Sequence, residues 1–220
     1  MKKKLTLIVT ALLVILICCS CANKPVPGAA TDEKETNDAT TKPDGESTIV
    51  NDDGEVVSKP IIAEITMASG GKITLELDSA AAPKSVENFV KLANDGFYDG
   101  LIFHRVIPGF MIQGGDPNGD GSGGSDDIVP GEFAANGWKD NTISHVRGVI
   151  SMARKQLPLD SATSQFFITN ADSTFLDGDY AAFGVVTSGM EVVDEISAVK
   201  TNANDKPLED VVIESIKILD

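Results

Sequence analysis

Cysteine is almost missing. The 220 residues contain three, and Cys18, Cys19 and Cys21 all sit at the very start of the chain. Most of the protein therefore has no disulfide framework and no cysteine-based zinc site. Only two histidines are present, His104 and His145, too few to replace thiolates in a metal cluster. Serine is common, but none stands in a G-x-S-x-G frame, so a hydrolase elbow is not in view. Basic charge is scarce as well. Eighteen Lys and Arg face 33 Asp and Glu, for a formal charge of −15. Such a surface repels phosphate, which excludes nucleic acid as a natural partner, and it serves solubility. Internal repeats are lacking. Stability has to come from one packed core of moderate size.

The only long apolar run is Leu5 to Ile17, behind Lys2, Lys3 and Lys4. It is shorter than the ~20 residues that a spanning helix needs, and it has the layout of a secretory signal. It leads into Cys18-Cys19-Ser20-Cys21. A small residue before a cysteine resembles a bacterial lipobox, which implies cleavage after Ser20 and a lipid on Cys21. Cys18 stands where that motif usually has leucine. Cleavage before Cys19, or an ordinary signal peptide, are the alternatives. Loss of the signal lysines leaves a charge of −18, so membrane contact would rest on the lipid alone. The expected location is extracytoplasmic, anchored to the cell membrane.

Residues 21–59 are rich in Thr, Asp, Glu, Asn, Pro and Gly and contain no aromatic. Composition of this kind cannot offset chain entropy by burial, so a disordered acidic tether is expected. Order should begin at Pro60 and fill residues 60–220. Ile61 to Met67 and Lys72 to Asp78 alternate like strands, with Ser69-Gly70-Gly71 as the hairpin turn. Pro83 to Asn94 reads as a helix with Val86, Phe89, Val90 and Ala93 on one side and Gly96 beyond its end. Short β-like runs follow at Leu101–Ile107, Phe110–Gly114, Gly148–Ala153, Gln165–Thr169 and Ala182–Val186. Met190–Val199 reads as a second helix and Val211–Leu219 as a last strand. Many strands with two helices point to a mainly β protein, an antiparallel barrel closed or nearly so.

The densest chemistry lies in Phe103-His104-Arg105-Val106-Ile107-Pro108-Gly109-Phe110-Met111-Ile112-Gln113-Gly114-Gly115-Asp116. One arginine, one amide, large apolar side chains and a glycine pair can grip an apolar ring and polarise one peptide group without breaking a covalent bond. Rotation about an X-Pro bond needs such a site. Amide resonance sets its barrier at ~18–20 kcal/mol. In the twisted transition state the prolyl nitrogen gains a basic lone pair, and a donor aimed there binds that state better than the ground state. A guanidinium is always charged and offers several donors in a rigid fork.

This run resembles the signature of the cyclophilin family of peptidyl-prolyl isomerases. Further motifs follow in the family's order: Gly121-Ser122-Gly123-Gly124, Gly148 to Ala153, Ser164-Gln165-Phe166-Phe167-Ile168, Leu176-Asp177-Gly178 and Phe183-Gly184. The resemblance spans nearly everything from Ile61 onward. It implies a closed eight-stranded antiparallel barrel with a helix over each end, and no cofactor or metal. It assigns Arg105 the catalytic donor, with Phe110 and Gln113 beside it; a surface salt-bridge arginine is the plainer reading. Phe110, Met111, Phe167 and Leu176 match the proline pocket, although strand alternation alone also fits ordinary core. The same pattern leaves Phe166 for the core. Gln113 and Gln165 match positions that hold the arginine or the substrate backbone, and Gly121 and Ala153 match the peptide groove. Arg154 stands where many eukaryotic relatives have asparagine, and Tyr180 where they have histidine. Phe175 replaces a common tryptophan whose indole N–H donates to cyclosporin, so weak cyclosporin binding is expected.

The implied function is isomerisation in proline-containing segments of exported proteins, by a monomer. A Pro-peptide-binding module without turnover, or an adhesion scaffold, are the rivals. His104 and His145 read as structural. Asp116 to Asp127 has the spacing of a calcium-binding helix-loop-helix frame but ends on Asp, carries Gly123 at its eighth position and lacks flanking helices.

Overall fold

The computed structural model describes residues 48–50 and 56–219. The signal segment, Cys21 and most of the tether lie outside them. One part of the expected tether is structured. Strands β1 (Thr48–Val50) and β2 (Val56–Ser58) pair antiparallel. Thr48, Ile49, Val50, Val56 and Val57 are β-branched, which suits strands despite the polarity of the surroundings.

The remaining strands are β3 (Ile61–Met67), β4 (Lys72–Leu77), β5 (Arg105–Ile107), β6 (Met111–Gly114), β7 (Val149–Met152), β8 (Phe166–Thr169), β9 (Ala182–Ser188) and β10 (Ile213–Leu219). They form one antiparallel sheet in the order β10-β3-β4-β9-β7-β8-β6-β5. The protein is mainly β, as expected, but the barrel is not fully closed. β5 and β10 remain the edges of the ladder. They meet at one end, through the Ile102–Val212 bridge and backbone hydrogen bonds such as Phe103 N to Val211 O at 3.0 Å and Ile213 N to Leu101 O at 2.8 Å. The sheet is best described as a half-barrel drawn together at one seam.

Helix α1 (Pro83–Asn94) has Pro83 in its first turn and buries Val86, Phe89, Leu92 and Ala93. Leu92 takes the inward place expected of Val90, which is only half-buried. Ala82 before the helix has no side chain that could cap it. Glu132, buried and distant in sequence, supplies the missing acceptor. Its carboxylate takes Lys84 N and Ser85 N at 2.8 Å each, and Ser85 Oγ at 2.7 Å. These are donors that an isolated helix leaves open. Helix α2 (Met190–Ser197) ends two residues before the expected Val199 and buries Val192, Val193 and Ile196. Among the described residues no helix is long and apolar enough to cross a membrane.

The core is an aromatic cluster under α1. The Phe89 ring lies 5.3 Å from Tyr98, 5.5 Å from Phe166 and 5.3 Å from Phe183, centroid to centroid. Edge and tilted contacts of this kind add to the area they bury.

Candidate active site

Strand register builds the site. Arg105 on β5 lies opposite Gln113 on β6, Gln113 opposite Phe167 on β8, and Phe167 opposite Ser151 on β7. Directly paired residues share a face, so these four form a row across the outside of the sheet. Val106, Ile112, Phe166 and Ile168 take the other face and join the core. Phe166 and Phe167 therefore separate as expected.

A cleft of about 500 Å³ opens over Arg105, Gln113 and Phe167 of this row. Ten of the expected residues line it: Arg105, Phe110, Met111, Gln113, Gly121, Ala153, Arg154, Phe167, Leu176 and Tyr180. Its floor is a small apolar cluster of Met111, Phe167 and Leu176, against which Phe110, Ala153 and Tyr180 pack. Tyr180 meets Phe167 edge-on at 5.8 Å. Two expected residues stand outside the cleft. Gln165 lines a neighbouring recess behind the Gly121–Ser125 loop. Phe175 lies at the rim, 71 % exposed, with its ring 5.4 Å from Phe110.

The polar groups are held by one another. Gln165 donates Nε2 to Gly123 O at 2.7 Å and to Gly121 O at 3.2 Å, and its Oε1 accepts from Gln113 Nε2 at 2.8 Å. Gln165 thus ties the glycine loop to Gln113 and does not face the cleft itself. Gly121 has φ +88°, a conformation that favours glycine. Asp116 fixes the same loop by accepting Asn118 N, Asp120 N and Gly121 N. Its carboxylate is spent on backbone, and Asp127 pairs with Lys91 at 2.8 Å. The calcium-like frame is thus a loop brace.

Arg154 is pinned. Its guanidinium lies 4.7 Å from the Tyr180 ring and 5.0 Å from the Phe133 ring. It also donates to the carbonyls of Asp179, Lys155 and Gln156. The side chain braces the cleft wall, which leaves its main chain as the part able to meet a ligand.

Arg105 is 43 % exposed, and its Nε lies 3.5 Å from Asp205 Oδ2. Asp205 belongs to a turn, Asn202-Ala203-Asn204-Asp205-Lys206, whose Asn202, Asn204 and Lys206 wall the cleft. Sequence reasoning missed this wall. Its one signal was a run of Asn and Asp between α2 and β10, which is turn chemistry.

Beneath the floor lies a polar relay. The His145 ring stacks under Phe167 at 6.1 Å and 17°. Its Nδ1 lies 2.9 Å from Asp177 Oδ1 and its Nε2 3.1 Å from Ser151 Oγ. Burial pushes the imidazole below its ordinary pKa, against the pull of Asp177. Burial alone would raise the Asp177 carboxyl, but hydrogen bonds from His145 and Ser144 outweigh it and hold the group low. Ser151 is wholly buried beneath the floor, so this Ser-His-Asp set has no access to a substrate and serves to support Phe167. His104 is buried at the cleft edge with neither ring nitrogen hydrogen-bonded. Burial lowers its pKa, and Asp116 opposes the shift. Among the described residues no cluster of three or more acidic, His or Cys side chains could hold a metal ion.

An apolar floor beside the half-exposed Arg105 and the oriented Gln113 amide suits a prolyl peptide. Comparison with known proteins agrees. Residues 62–218 match the family model "Cyclophilin type peptidyl-prolyl cis-trans isomerase/CLD". The chain is 48 % identical over 164 residues to peptidyl-prolyl cis-trans isomerase A of Dickeya dadantii, covering 69 % of this chain and 81 % of that protein. It is 41 % identical over 152 residues to peptidyl-prolyl cis-trans isomerase-like 1 of Emericella nidulans, covering 69 % and 91 %. A crystal structure of a Cryptosporidium parvum cyclophilin-type isomerase, determined in the presence of the dipeptide Ala-Pro, superposes with a TM-score of 0.65 at 31 % identity, over 72 % of this chain and 99 % of that one. The chain belongs to the cyclophilin family, and its activity is that of a peptidyl-prolyl cis-trans isomerase.

Proposed function

We propose that Arg105 is the electrophilic group of this isomerase and that its clients are exported proteins met at the membrane surface. The observation that carries the first part is the cross-strand row. It sets a guanidinium beside an apolar floor, with Gln113 held in orientation by Gln165. The proline ring rests on Met111, Phe167 and Leu176, with Phe110 and Tyr180 at its sides. Arg105 then donates to the prolyl nitrogen as amide resonance is lost. The interaction strengthens as the bond twists, so it lowers the barrier. The small residues Gly121 and Ala153 let the peptide backbone approach along the groove. A charge-assisted hydrogen bond is worth about 1.5–3 kcal/mol, and a tenfold rate change corresponds to about 1.4 kcal/mol. Arg105→Ala should therefore slow cis/trans exchange roughly ten- to a hundredfold.

The membrane part rests on sequence: the basic and apolar start of the chain, Ser20-Cys21, and the polar residues between Cys21 and Pro60. In this reading a lipid on Cys21 holds a monomeric isomerase domain off the outer face of the membrane. Phe175, exposed at the rim without an N–H donor, makes cyclosporin a weak ligand, and Phe175→Trp should tighten it.

NMR exchange spectroscopy on an Ala-Pro peptide, with the full-length chain and its Arg105→Ala variant, tests the chemistry. Fast exchange with the first and slow exchange with the second, both folded, supports the reading. Peptide binding without faster exchange would instead describe a binding module. For the anchor, cell fractionation of Cys21→Ser should move the protein from the membrane to the soluble fraction; an unchanged membrane fraction rejects it.

A further inference from the structure

The turn that walls the cleft holds the most constrained residue near the site. Asp205 has φ +63°, the only positive φ among described residues other than glycine. Asp tolerates this region better than most residues, yet it still costs energy, and such costs gather at functional positions. The surrounding turn is built to hold it there. Asn202 Oδ1 accepts Asn204 N at 2.8 Å and Lys206 N at 3.2 Å, and Asp205 N donates to Asn202 O at 3.1 Å. Lys206 Nζ anchors the turn to Gly119 O at 2.8 Å. Asp205 O accepts Val106 N at 2.8 Å, so the turn is fastened to the free edge of β5 one residue past Arg105. The result is an Asp205 carboxylate 3.5 Å from Arg105 Nε.

The geometry points to Asp205 as a positioning residue for Arg105, one that aims the guanidinium at the twisted prolyl amide. This rests on the role given to Arg105 above. Arginine is a long side chain, and Arg105 stands half-exposed in an open cleft, where it would sample many rotamers. A carboxylate beside Nε restricts those rotamers, and a restricted guanidinium can be aimed at the ligand. An ion pair this exposed contributes little to stability. Its consequence is orientation, and orientation at a reacting centre acts on rate.

Asp205→Asn and Asp205→Gly both accept positive φ, and both remove the charge. In the full-length chain each should lower kcat about three- to tenfold with KM nearly unchanged, the pattern for an interaction used in the transition state. The melting temperature should stay close to that of the parent chain. High salt should bring the parent chain toward the variants and leave the variants themselves unaffected. In an Arg105→Ala background Asp205→Asn should add nothing. A raised KM with kcat intact would make the turn a mere wall, and an unchanged or faster rate would show that the carboxylate does not aim the cation; either overturns the inference while leaving Arg105 in place. If Arg105→Ala itself keeps the parent rate, the reading of Arg105 fails first and Asp205 falls with it.

Discussion

Phe166 and Phe167 are neighbours on β8, and their rings end in two different apolar bodies. Phe166 enters the main core, where Phe89 and Tyr98 meet it edge-on. Phe167 enters a three-residue cluster with Met111 and Leu176, and a buried histidine stacks beneath it. Both rings are nearly inaccessible, yet their surroundings differ in kind. The core is apolar on every side. The smaller cluster is apolar above and polar below, where His145, Ser151 and Asp177 are satisfied by one another. A dry aromatic core holds the sheet together. A thin apolar floor on a hydrogen-bonded base keeps a ring in place at the bottom of a cleft.

Mutations should separate the two bodies. Phe166→Ala has the largest expected effect on folding, about 3–5 kcal/mol by the usual cost of an aromatic cavity. Urea unfolding would measure it, and the folded fraction should keep its turnover. Phe167→Ala should reverse the pattern. Its stability cost is smaller, roughly 1–3 kcal/mol, because the cavity opens to solvent, whereas kcat/KM on a prolyl peptide should fall roughly ten- to a hundredfold. Equal stability losses for the two would erase the distinction.

The polar base gives the next effect. Asp177→Asn removes the charged acceptor of His145 and should cost about 1–3 kcal/mol, seen as a lower melting temperature. The pH dependence follows in sign from the same groups. The folded pKa values of His104 and His145 lie below ordinary, so the unfolded chain takes up protons first as pH falls. Their contribution is complete above the ordinary histidine value of about 6.5 and is lost as pH drops through the folded values. Asp177, also held low, acts in the same direction further into acid. Melting temperature should therefore fall between neutral and mildly acid pH, and a flat profile would contradict the assignment. The smallest effect belongs to the cleft wall. Arg154→Lys keeps the charge but loses the planar contact with Phe133 and Tyr180, which is worth about 0.5–1 kcal/mol. A double-mutant cycle with Tyr180→Leu would isolate it.

Much of this was legible in the chain. The alternation of Ile73, Leu75 and Leu77 marked β4. Pro83 with Val86 and Phe89 marked α1. The run from Phe103 to Asp116 marked the site. Ten of its twelve predicted site residues in the folded domain line one cleft because strand alternation and the family pattern agree on which face each side chain takes. Gln165 and Phe175 fell outside because a motif fixes position along the chain and not the partner a side chain chooses. Gln165 chose the Gly121–Gly123 carbonyls, and Phe175 sits on a short helical turn at the rim. The pairing of Thr48–Val50 with Val56–Ser58 escaped notice because average composition hides a few β-branched residues.

Local sequence by itself determined the elements and their faces, since period, turn residues and steric preference act over a few residues. Tertiary structure alone decided contacts between groups far apart in the chain. Glu132 caps a helix that begins with Ala82 and Pro83, His145 and Asp177 meet under Phe167, and the turn at Asp205 reaches Arg105. Such pairings depend on which backbone segments the folded sheet brings within hydrogen-bonding reach, and no local pattern encodes that distance.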